Sequence, residues 1–277
     1  MQPTPLIALL TDFGTRDHFV GVMKGVMTGI CPKAQFIDIT HEIEPGNIRQ
    51  GAVTLWQAVP HFPPHTVFLC VVDPGVGTKR LPLAAETRFG RFIAPDNGLL
   101  SYVGVAEGSA YALQRDQYHH NAESSTFHGR DIFSPCAAHL AAGRVPSDFG
   151  PTIPYPTRLA FPTLETEQNM VTGEILHADR FGNLLTSLGT CRRVENAFTL
   201  TPWTDAPPTP TTWDMATTQV ILPSGQRLPF AHTFAEIPNG QGAAVVGSSG
   251  LIELVANRQS AQTLLNLREG DPIILES

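Results

Sequence analysis

The sequence predicts an α/β protein in which an N-terminal, mainly parallel sheet flanked by helices precedes a smaller C-terminal antiparallel β domain. Two observations support this prediction. Up to about residue 150, short apolar runs alternate with helical patterns, which is typical of a mainly parallel sheet. After about residue 170 the runs are short and separated by turn residues, and only one pattern is helical. The chain of 277 residues is long enough for two domains.

The N-terminal elements follow from the spacing of apolar residues. Strands are predicted where apolar or β-branched runs reach the length of a buried strand, at 6–10, 35–39, 66–72, 83–87, 91–94 and 109–113. Helices, identified chiefly from apolar residues three and four apart, are predicted over 19–30, 48–59, 99–103 and 137–142. Cys31-Pro32 ends the first helix, Asn47 is a suitable cap for the second, and Gly143 stops the last.

Four prolines mark a change in composition after residue 150. Pro151, Pro154, Pro156 and Pro162 are too closely spaced for regular structure and suit a linker. We therefore predict an α/β domain over 1–150, a linker over 151–168 and a β domain over 169–277. Strands of the β domain are predicted at 171–177, 183–188, 219–222, 243–246, 251–255 and 272–275, with one helix at 261–267.

Composition excludes several classes of partner. The net charge is −7 and no cluster of Lys and Arg occurs, so we predict no nucleic-acid partner. No apolar run approaches the roughly 20 residues that span a bilayer, so no membrane partner is expected either. The four cysteines (31, 70, 136 and 191) are scattered, which indicates reduced thiols and a cytoplasmic protein.

The end of the third predicted strand is the strongest candidate for a site. Asp73 follows the strand directly, and Pro74, Gly75 and Gly77 force a tight loop that could bring Arg80 back onto Asp73. Ligands of open α/β sheets bind at the carboxyl ends of strands. Taken alone, Asp73 could equally be a turn residue that caps its own backbone, with Arg80 a surface charge.

Other kinds of site are less well supported by the sequence. The glycine-rich nucleotide signatures and the Gly-x-Ser-x-Gly motif of serine hydrolases do not occur. Metal ligands could come from strand-end side chains, but no His pair is spaced four apart on a helix; the candidates are Asp12, Asp17, Asp73, Asp96, His41 and His128. His128 could also be a helix-entry residue satisfied by backbone. An acid/base set of Asp73, Arg80 and His128 is the simplest remaining possibility.

Five motifs in order resemble one known family. They are Leu10-Thr-Asp-Phe-Gly-Thr15, Asp73-Pro-Gly-Val-Gly-Thr-Lys-Arg80, Ala94-Pro-Asp-Asn-Gly-Leu-Leu100, Phe127-His-Gly-Arg-Asp131 and Asp179-Arg-Phe-Gly-Asn183. Together they are similar to the S-adenosyl-L-methionine hydrolase family, also called S-adenosyl-L-methionine hydroxide adenosyltransferases, which are relatives of the fluorinase and chlorinase. The similarity runs from about Leu6 to the C-terminus. Two positions depart from the usual pattern: Ser187 replaces an Asn after Thr186, and Gly247 stands where Asn is common.

The resemblance implies an activity, an assembly and a set of site residues. It implies a homotrimer with sites at subunit interfaces, which hydrolyses S-adenosyl-L-methionine to adenosine and L-methionine without metal or organic cofactor. By motif, Asp73, Arg80 and His128 match the catalytic set, and Asp12 matches the ribose-diol carboxylate. The adenine positions match Phe181, Asn183 and Phe234. The methionine-end positions match Asp17, Asp179, Ser248 and Ser249.

The chemistry of this reaction suits the catalytic set. A sulfonium leaves as a neutral thioether and needs no general acid, so catalysis depends on aligning and activating the nucleophile. The Asp73 carboxylate would repel a halide, which favours water as nucleophile. Asp73 can orient water or accept a proton, Arg80 can stabilise hydroxide-like charge, and His128 can be the third group that positions the nucleophile. Two alternatives stay open: a metal-dependent hydrolase, and a non-catalytic nucleoside-binding module in which Asp73 is structural.

Overall fold

The computed structural model describes residues 4–120, 126–167, 169–202 and 210–277. The chain forms two compact units, Met1–Leu159 and Ala160–Ser277. The finer division into 1–150, a linker at 151–168 and 169–277 stays a prediction. Within the described ranges, no helix is both long enough and apolar enough to cross a bilayer.

The first unit is built on a six-stranded, mainly parallel sheet. Its elements are β1 (Leu6–Thr11), α1 (Phe19–Ile30), β2 (Gln35–Thr40), α2 (Ile48–Ala58), β3 (Val67–Val71), β4 (Pro82–Thr87), β5 (Gly90–Pro95), β6 (Ser109–Ala112) and α3 (Ser134–Ala141). The strand order is β2-β1-β3-β5-β4-β6. The pairs β2–β1, β1–β3 and β3–β5 are parallel, whereas β4 is antiparallel to both β5 and β6. The predicted fold class is confirmed.

Buried apolar residues cover both faces of this sheet. Every residue of β1 and β3 is buried, as expected for central strands of a parallel sheet. Along β1, Ala8 and Leu10 face a core shared with Leu55 of α2, whereas Ile7 and Leu9 face a core shared with α1 and α3. The sheet therefore lies between two layers, and the chain leaves β1 and β3 at the same edge.

Helix boundaries agree with the sequence in most places but not in all. The predicted cap of α2 is confirmed, because Asn47 Oδ1 accepts the Gln50 N–H at 2.9 Å. The predicted helix over 99–103 is wrong, since these residues form turns. Gly98 has a φ of +98°, and Ser101 N–H bonds three residues back to the Gly98 carbonyl at 3.0 Å, so the chain closes tight turns instead of helical ones.

The described part of the second unit contains a ten-stranded antiparallel sheet, one short α-helix and a 3₁₀ turn at Phe234–Glu236. Its strands are β7 (Glu165–Glu167), β8 (Met170–Ala178), β9 (Leu184–Val194), β10 (Ala197–Thr201), β11 (Thr211–Asp214), β12 (Gln219–Ile221), β13 (Arg227–Pro229), β14 (Gly242–Val246), β15 (Leu251–Ala256) and β16 (Pro272–Glu276), and α4 spans Ala261–Leu265. Strand β9 is central, because it pairs with β8, β10 and β15. This unit is shorter than the first, yet it holds the larger sheet.

Candidate active site

The loop after β3 folds back on itself and returns Arg80 to Asp73. Val76 N–H bonds the Asp73 carbonyl at 3.2 Å, and Thr78 N–H bonds the Gly75 carbonyl at 3.1 Å. Gly77 takes a φ of +77°, a conformation that most side chains resist. These turns bring the Arg80 guanidinium beside the Asp73 carboxylate, which is one of the two arrangements that the sequence left open.

Arg80 joins Asp73 to His128, which lies 48 residues further along the chain. Arg80 Nε donates to Asp73 Oδ1 at 2.9 Å, and Arg80 Nη2 donates to Asp73 Oδ2. The same Nη2 lies 2.9 Å from His128 Nδ1. The Asp73 and Arg80 side chains are only 5% and 9% exposed, and the guanidinium carbon lies 5.2 Å from the ring centre of Phe133. One fixed cation therefore orients a carboxylate and an imidazole together.

The contact with Arg80 determines which form of His128 is present. A guanidinium has only N–H donors and keeps its charge in proteins, so His128 Nδ1 must accept the hydrogen bond. Burial, and then the positive charge of Arg80, lower the pKa of His128 below its usual value. His128 is therefore neutral near pH 7, and its single ring proton is on Nε2, from which it can donate.

Asp73 and His128 line a cavity of about 460 Å³ in the first unit. Its aromatic wall consists of Phe13, Phe19 and Phe127, whose rings meet edge to face at centroid distances of 5.3–6.2 Å. Arg80 does not line this cavity. The guanidinium thus lies behind the two side chains that it orients.

The segment that carries His128 has an unusual backbone. Residues Gly129–Phe133 form a π-helix, a feature frequent at functional sites, and α3 continues from it. A side chain at Gly129 would place its Cβ 3.0 Å from the Phe127 ring and 3.3 Å from Phe13, so glycine lets the aromatic wall close. Sequence reasoning identified the motif here but missed the aromatic wall, for which Phe127 beside His128 was the available signal.

Asp12 and Asp17 occupy different surroundings in the loop after β1. Asp12 is partly buried, and its Oδ2 accepts the Gly46 N–H at 2.9 Å. Burial is the main cause that raises the pKa of Asp12, and the negative charge of Asp73 adds to it. Asp17 is exposed. Neither carboxylate lines the 460 Å³ cavity. Gly46 connects Asp12 with the Asp73 loop, because a Cβ at Gly46 would lie 3.5 Å from Cβ of Pro74, the residue after Asp73.

In the second unit, Asp179 organises the turn between β8 and β9. Its Oδ1 accepts the backbone N–H groups of Phe181 and Asn183 at 2.8 Å, and its Oδ2 accepts Asn183 Nδ2 at 2.9 Å. Gly182 has a φ of +82°, and a Cβ there would lie 2.1 Å from Ser260 Oγ. The turn therefore needs glycine, and it presents Phe181 with 78% of its surface exposed.

Two cavities adjoin this turn. The first, of about 490 Å³, is lined by Phe181, Asn183 and Phe234 together with Arg258. The second, of about 410 Å³, shares those three residues and is also lined by Asp179, Ser248 and Glu253. The structure thus brings together the predicted Asp179, Phe181, Asn183, Phe234 and Ser248. Ser249 does not line either cavity, and its hydroxyl lies 3.4 Å from Glu253 Oε1.

Arg258 and Glu253 were missed by sequence reasoning. Arg258 adopts a φ of +62°, which is uncommon for a residue other than glycine. Glu253 lies on β15, where a strand pattern gives no sign of a functional role. In the described part of the chain, no three His, Cys, Asp or Glu side chains are grouped as metal ligands would be.

The chain matches two models of one protein family. The N-terminal domain model of S-adenosyl-L-methionine hydroxide adenosyltransferases matches residues 7–150, and the C-terminal domain model matches residues 173–274. A Thermus thermophilus protein named (R)-S-adenosyl-L-methionine hydrolase is 36% identical, over 97% of this chain and 98% of that protein. A Salinispora tropica protein of the same name is also 36% identical, over 98% and 97% of the two chains.

A solved structure shows the same architecture. The crystal structure of an uncharacterized conserved protein from Thermotoga maritima superposes with a TM-score of 0.82 and is 32% identical in sequence. The superposition covers 98% of this chain and all of that one. The similarity thus extends over both units.

Proposed function

The chain belongs to the S-adenosyl-L-methionine hydroxide adenosyltransferase family, and on this basis we propose that it hydrolyses S-adenosyl-L-methionine to adenosine and L-methionine. The main observation behind the proposal is that Arg80 contacts both Asp73 and His128. Asp73 and His128 line the same cavity. The relatives named (R)-S-adenosyl-L-methionine hydrolase align over nearly the whole chain, and their name supports S-adenosyl-L-methionine as the substrate.

The reaction is a displacement at the ribose 5′ carbon. A water oxygen forms the new bond, the carbon–sulfur bond breaks, and its electron pair leaves on the sulfur of neutral methionine. No proton is needed by the leaving group, so no general acid and no metal or organic cofactor is required. The water must lose one proton during or after the attack, and the protein contributes by orienting the water.

Asp73 and His128 have complementary roles towards this water. The Asp73 carboxylate accepts a hydrogen bond from the water and takes its proton as the new bond forms. His128, neutral and protonated on Nε2, donates to the water oxygen and stabilises hydroxide character as it develops. Because His128 Nδ1 already accepts from Arg80, the imidazole acts as donor and Asp73 as base.

Arg80 is a positioning residue in this mechanism. It holds both carboxylate oxygens of Asp73 and fixes the orientation of His128, without lining the cavity. The sequence-based interpretation, in which Arg80 itself stabilises the hydroxide, is refined accordingly: the contact with the oxygen is made by His128.

The substrate-binding residues follow the family motifs and their surroundings here. We propose that Asp12 bonds the ribose diol and that the exposed Phe181 and Phe234 rings stack on adenine, with Asn183 bonding its edge. Residues for the methionine end are Asp17, Asp179, Ser248 and Ser249. Of these, Asp179 acts through the turn that it organises, since three N–H donors already occupy its oxygens.

We further propose a cytoplasmic homotrimer. Catalytic side chains lie in the first unit and candidate adenine-side aromatics in the second, and the trimer would combine those of neighbouring subunits. The free thiols of Cys31, Cys70, Cys136 and Cys191 are compatible with a reducing compartment.

The decisive experiment incubates the purified protein with each sulfonium epimer of S-adenosyl-L-methionine in heavy-oxygen water. We expect adenosine and methionine in equal amounts, faster turnover of the (R) epimer, and the label on the adenosine 5′ hydroxyl. Ligand that is bound but intact would support the nucleoside-binding module instead. Labelled homoserine released with 5′-methylthioadenosine would instead show attack on the methionine side of the sulfur.

A further inference from the structure

The loop that follows β2 holds the loop that carries Asp12. The Gly46 N–H donates to Asp12 Oδ2 at 2.9 Å. Two residues beyond Asp12, the Gly14 N–H bonds the His41 carbonyl at 2.7 Å. The placement of Asp12 therefore depends on residues 41–46, and His41 is a residue of this segment for which the proposed reaction has no role.

A shift in strand register precedes His41. The pairing of β1 with β2 shifts between Leu9 and Leu10, where one residue of β2 is left over. An extra residue of this kind redirects the side chains beside it and is common next to active sites. Beyond the shift, the His41 side chain is only 3% exposed.

One nitrogen of the His41 ring contacts an ion pair. His41 Nε2 lies 3.0 Å from Asp38 Oδ1, and Lys24 Nζ donates to Asp38 Oδ2 at 2.7 Å. Burial works against ionisation of Asp38, but the contacts with Lys24 and then His41 outweigh it and lower the pKa of the carboxyl below its usual value. An ionised carboxylate only accepts hydrogen bonds, so the ring nitrogen that faces it carries a proton.

The other nitrogen of the ring holds the Thr11 hydroxyl. His41 Nδ1 lies 2.8 Å from Thr11 Oγ1, and the same oxygen accepts the Phe13 N–H at 3.2 Å. In the neutral ring with its proton on Nε2, Nδ1 is an acceptor, so the hydroxyl donates to His41 and keeps its lone pairs for Phe13. The residues on both sides of Asp12 are therefore fixed through one imidazole.

Carboxylate, imidazole and hydroxyl also follow one another in nucleophilic triads. Here the Thr11 hydroxyl cannot act as a nucleophile, because Thr11 is fully buried and its oxygen already accepts a backbone N–H. The contacts of His41 thus serve the geometry of the Asp12 loop.

We propose that His41 is a positioning residue that, through Thr11, orients the Asp12 carboxylate towards the ribose diol of the substrate. This inference rests on the proposed hydrolysis of S-adenosyl-L-methionine. Two neighbouring hydroxyls match the two oxygens of one carboxylate, and such charge-assisted bonds depend on good geometry. A small displacement of the Asp12 loop would weaken both bonds together.

The test compares two substrates that differ only in the ribose hydroxyls, S-adenosyl-L-methionine and its 2′,3′-dideoxy analogue. We expect the wild-type kcat/KM to favour the diol by about tenfold or more, the range for hydrogen bonds to a charged group. His41→Gln places its amide near the position of Nε2, so it should lose most of this preference and leave the analogue nearly unchanged. His41→Asn places its amide near the position of Nδ1, so it should retain the preference.

Thr11 provides a second, independent pair of variants. Thr11→Val removes the hydroxyl and should cause the same selective loss as His41→Gln, with little further loss in the double variant. Thr11→Ser keeps the hydroxyl and should retain the preference. Thr218→Val is the matched control, because Thr218 is also buried and its hydroxyl donates to the Asp214 carbonyl at 2.6 Å in the second unit. It should lose stability but keep the wild-type preference.

The other outcomes overturn the inference in distinguishable ways. If wild type cleaves both substrates equally well, the diol is not recognised, although the proposed hydrolysis stands. Equal losses on both substrates in His41→Gln and Thr11→Val would show that these residues only stabilise the fold. If wild type cleaves neither sulfonium, the proposed function itself is wrong and this inference is lost with it.

Discussion

Replacing Arg80 with methionine should destabilise the first unit and abolish most of the activity. The change keeps an unbranched apolar stem against Phe133 but removes the charge that holds Asp73 and His128. Asp73 and Arg80 are 5% and 9% exposed, so the remaining carboxylate would be buried without a partner. Removal of one partner from a buried ion pair costs about 3–5 kcal/mol of unfolding free energy.

The assay is a double-mutant cycle of Arg80→Met and Asp73→Asn, read by urea unfolding at one protein concentration. Each single variant leaves one buried charge uncompensated, and the double variant leaves none. We therefore expect the double variant to be more stable than the sum of the two losses by about 2 kcal/mol or more. Arg88→Met is the control, because Arg88 also stacks on a phenylalanine but is exposed; it should cost less than about 1 kcal/mol.

Activity should behave differently from stability in the same cycle. Each single variant should lower kcat roughly 10²-fold or more, the size of a lost general base. The double variant should be no more active than either, since the residues work as a unit. Additive stability losses would refute the claim that the pair is mutually compensating, and a kcat near wild type in Arg80→Met would refute its positioning role.

Three further predictions concern the pH dependence of the activity, its independence of metal ions, and the sharing of sites between subunits. Protonation of His128 would end its acceptor contact with Arg80, so kcat/KM should fall on the acid side. Because the pKa of His128 is lowered, this fall should lie below pH 6.5, the ordinary histidine value. It should move to higher pH in Arg80→Met, and an unchanged profile would contradict the role of Arg80. Activity should survive exhaustive chelation, and loss that Zn²⁺ or Mn²⁺ restores would favour the metal-dependent alternative. Mixing Asp73→Ala chains with Asn183→Ala chains should restore some activity if subunits share sites, whereas a fully active monomer would exclude this.

The fold could be predicted because its signals are local. The uninterrupted apolar runs of β1 and β3 have the length and composition of strands buried on both faces. The three- and four-residue spacing in α1 is repeated in its buried residues Val20, Met23 and Met27. The turns after Gly98 were not predictable in the same way. Leu99–Val103 is apolar enough for a short helix, and the Gly98 backbone decides the outcome.

The contact between Asp73, Arg80 and His128 was only partly predictable. Asp73 and Arg80 are seven residues apart in one glycine-rich loop, so their contact follows from local geometry. His128 is 48 residues from Arg80, and its contact depends on how the π-helix after it packs against the sheet. Glu253 lay beyond sequence reasoning altogether, because its placement depends on the space left at Gly247 in a neighbouring strand connection.

The position of Arg80 behind Asp73 also bears on how a cationic substrate enters the cavity. A guanidinium exposed there would repel the sulfonium, and a lone carboxylate would attract it but would be costly to bury. Paired through two hydrogen bonds, the two charges sum to zero, and the carboxylate is the member that lines the cavity. Arg130, which also lines the cavity, is paired with Asp131 through two hydrogen bonds, so its charge is offset as well. Under the proposed function, the sulfonium would therefore meet the negative face of Asp73 in a wall whose cations are paired. Burial, and then the charge of Arg80, lower the pKa of His128 and keep it neutral and able to donate. The one buried cation would thus contribute both to substrate entry and to activation of water.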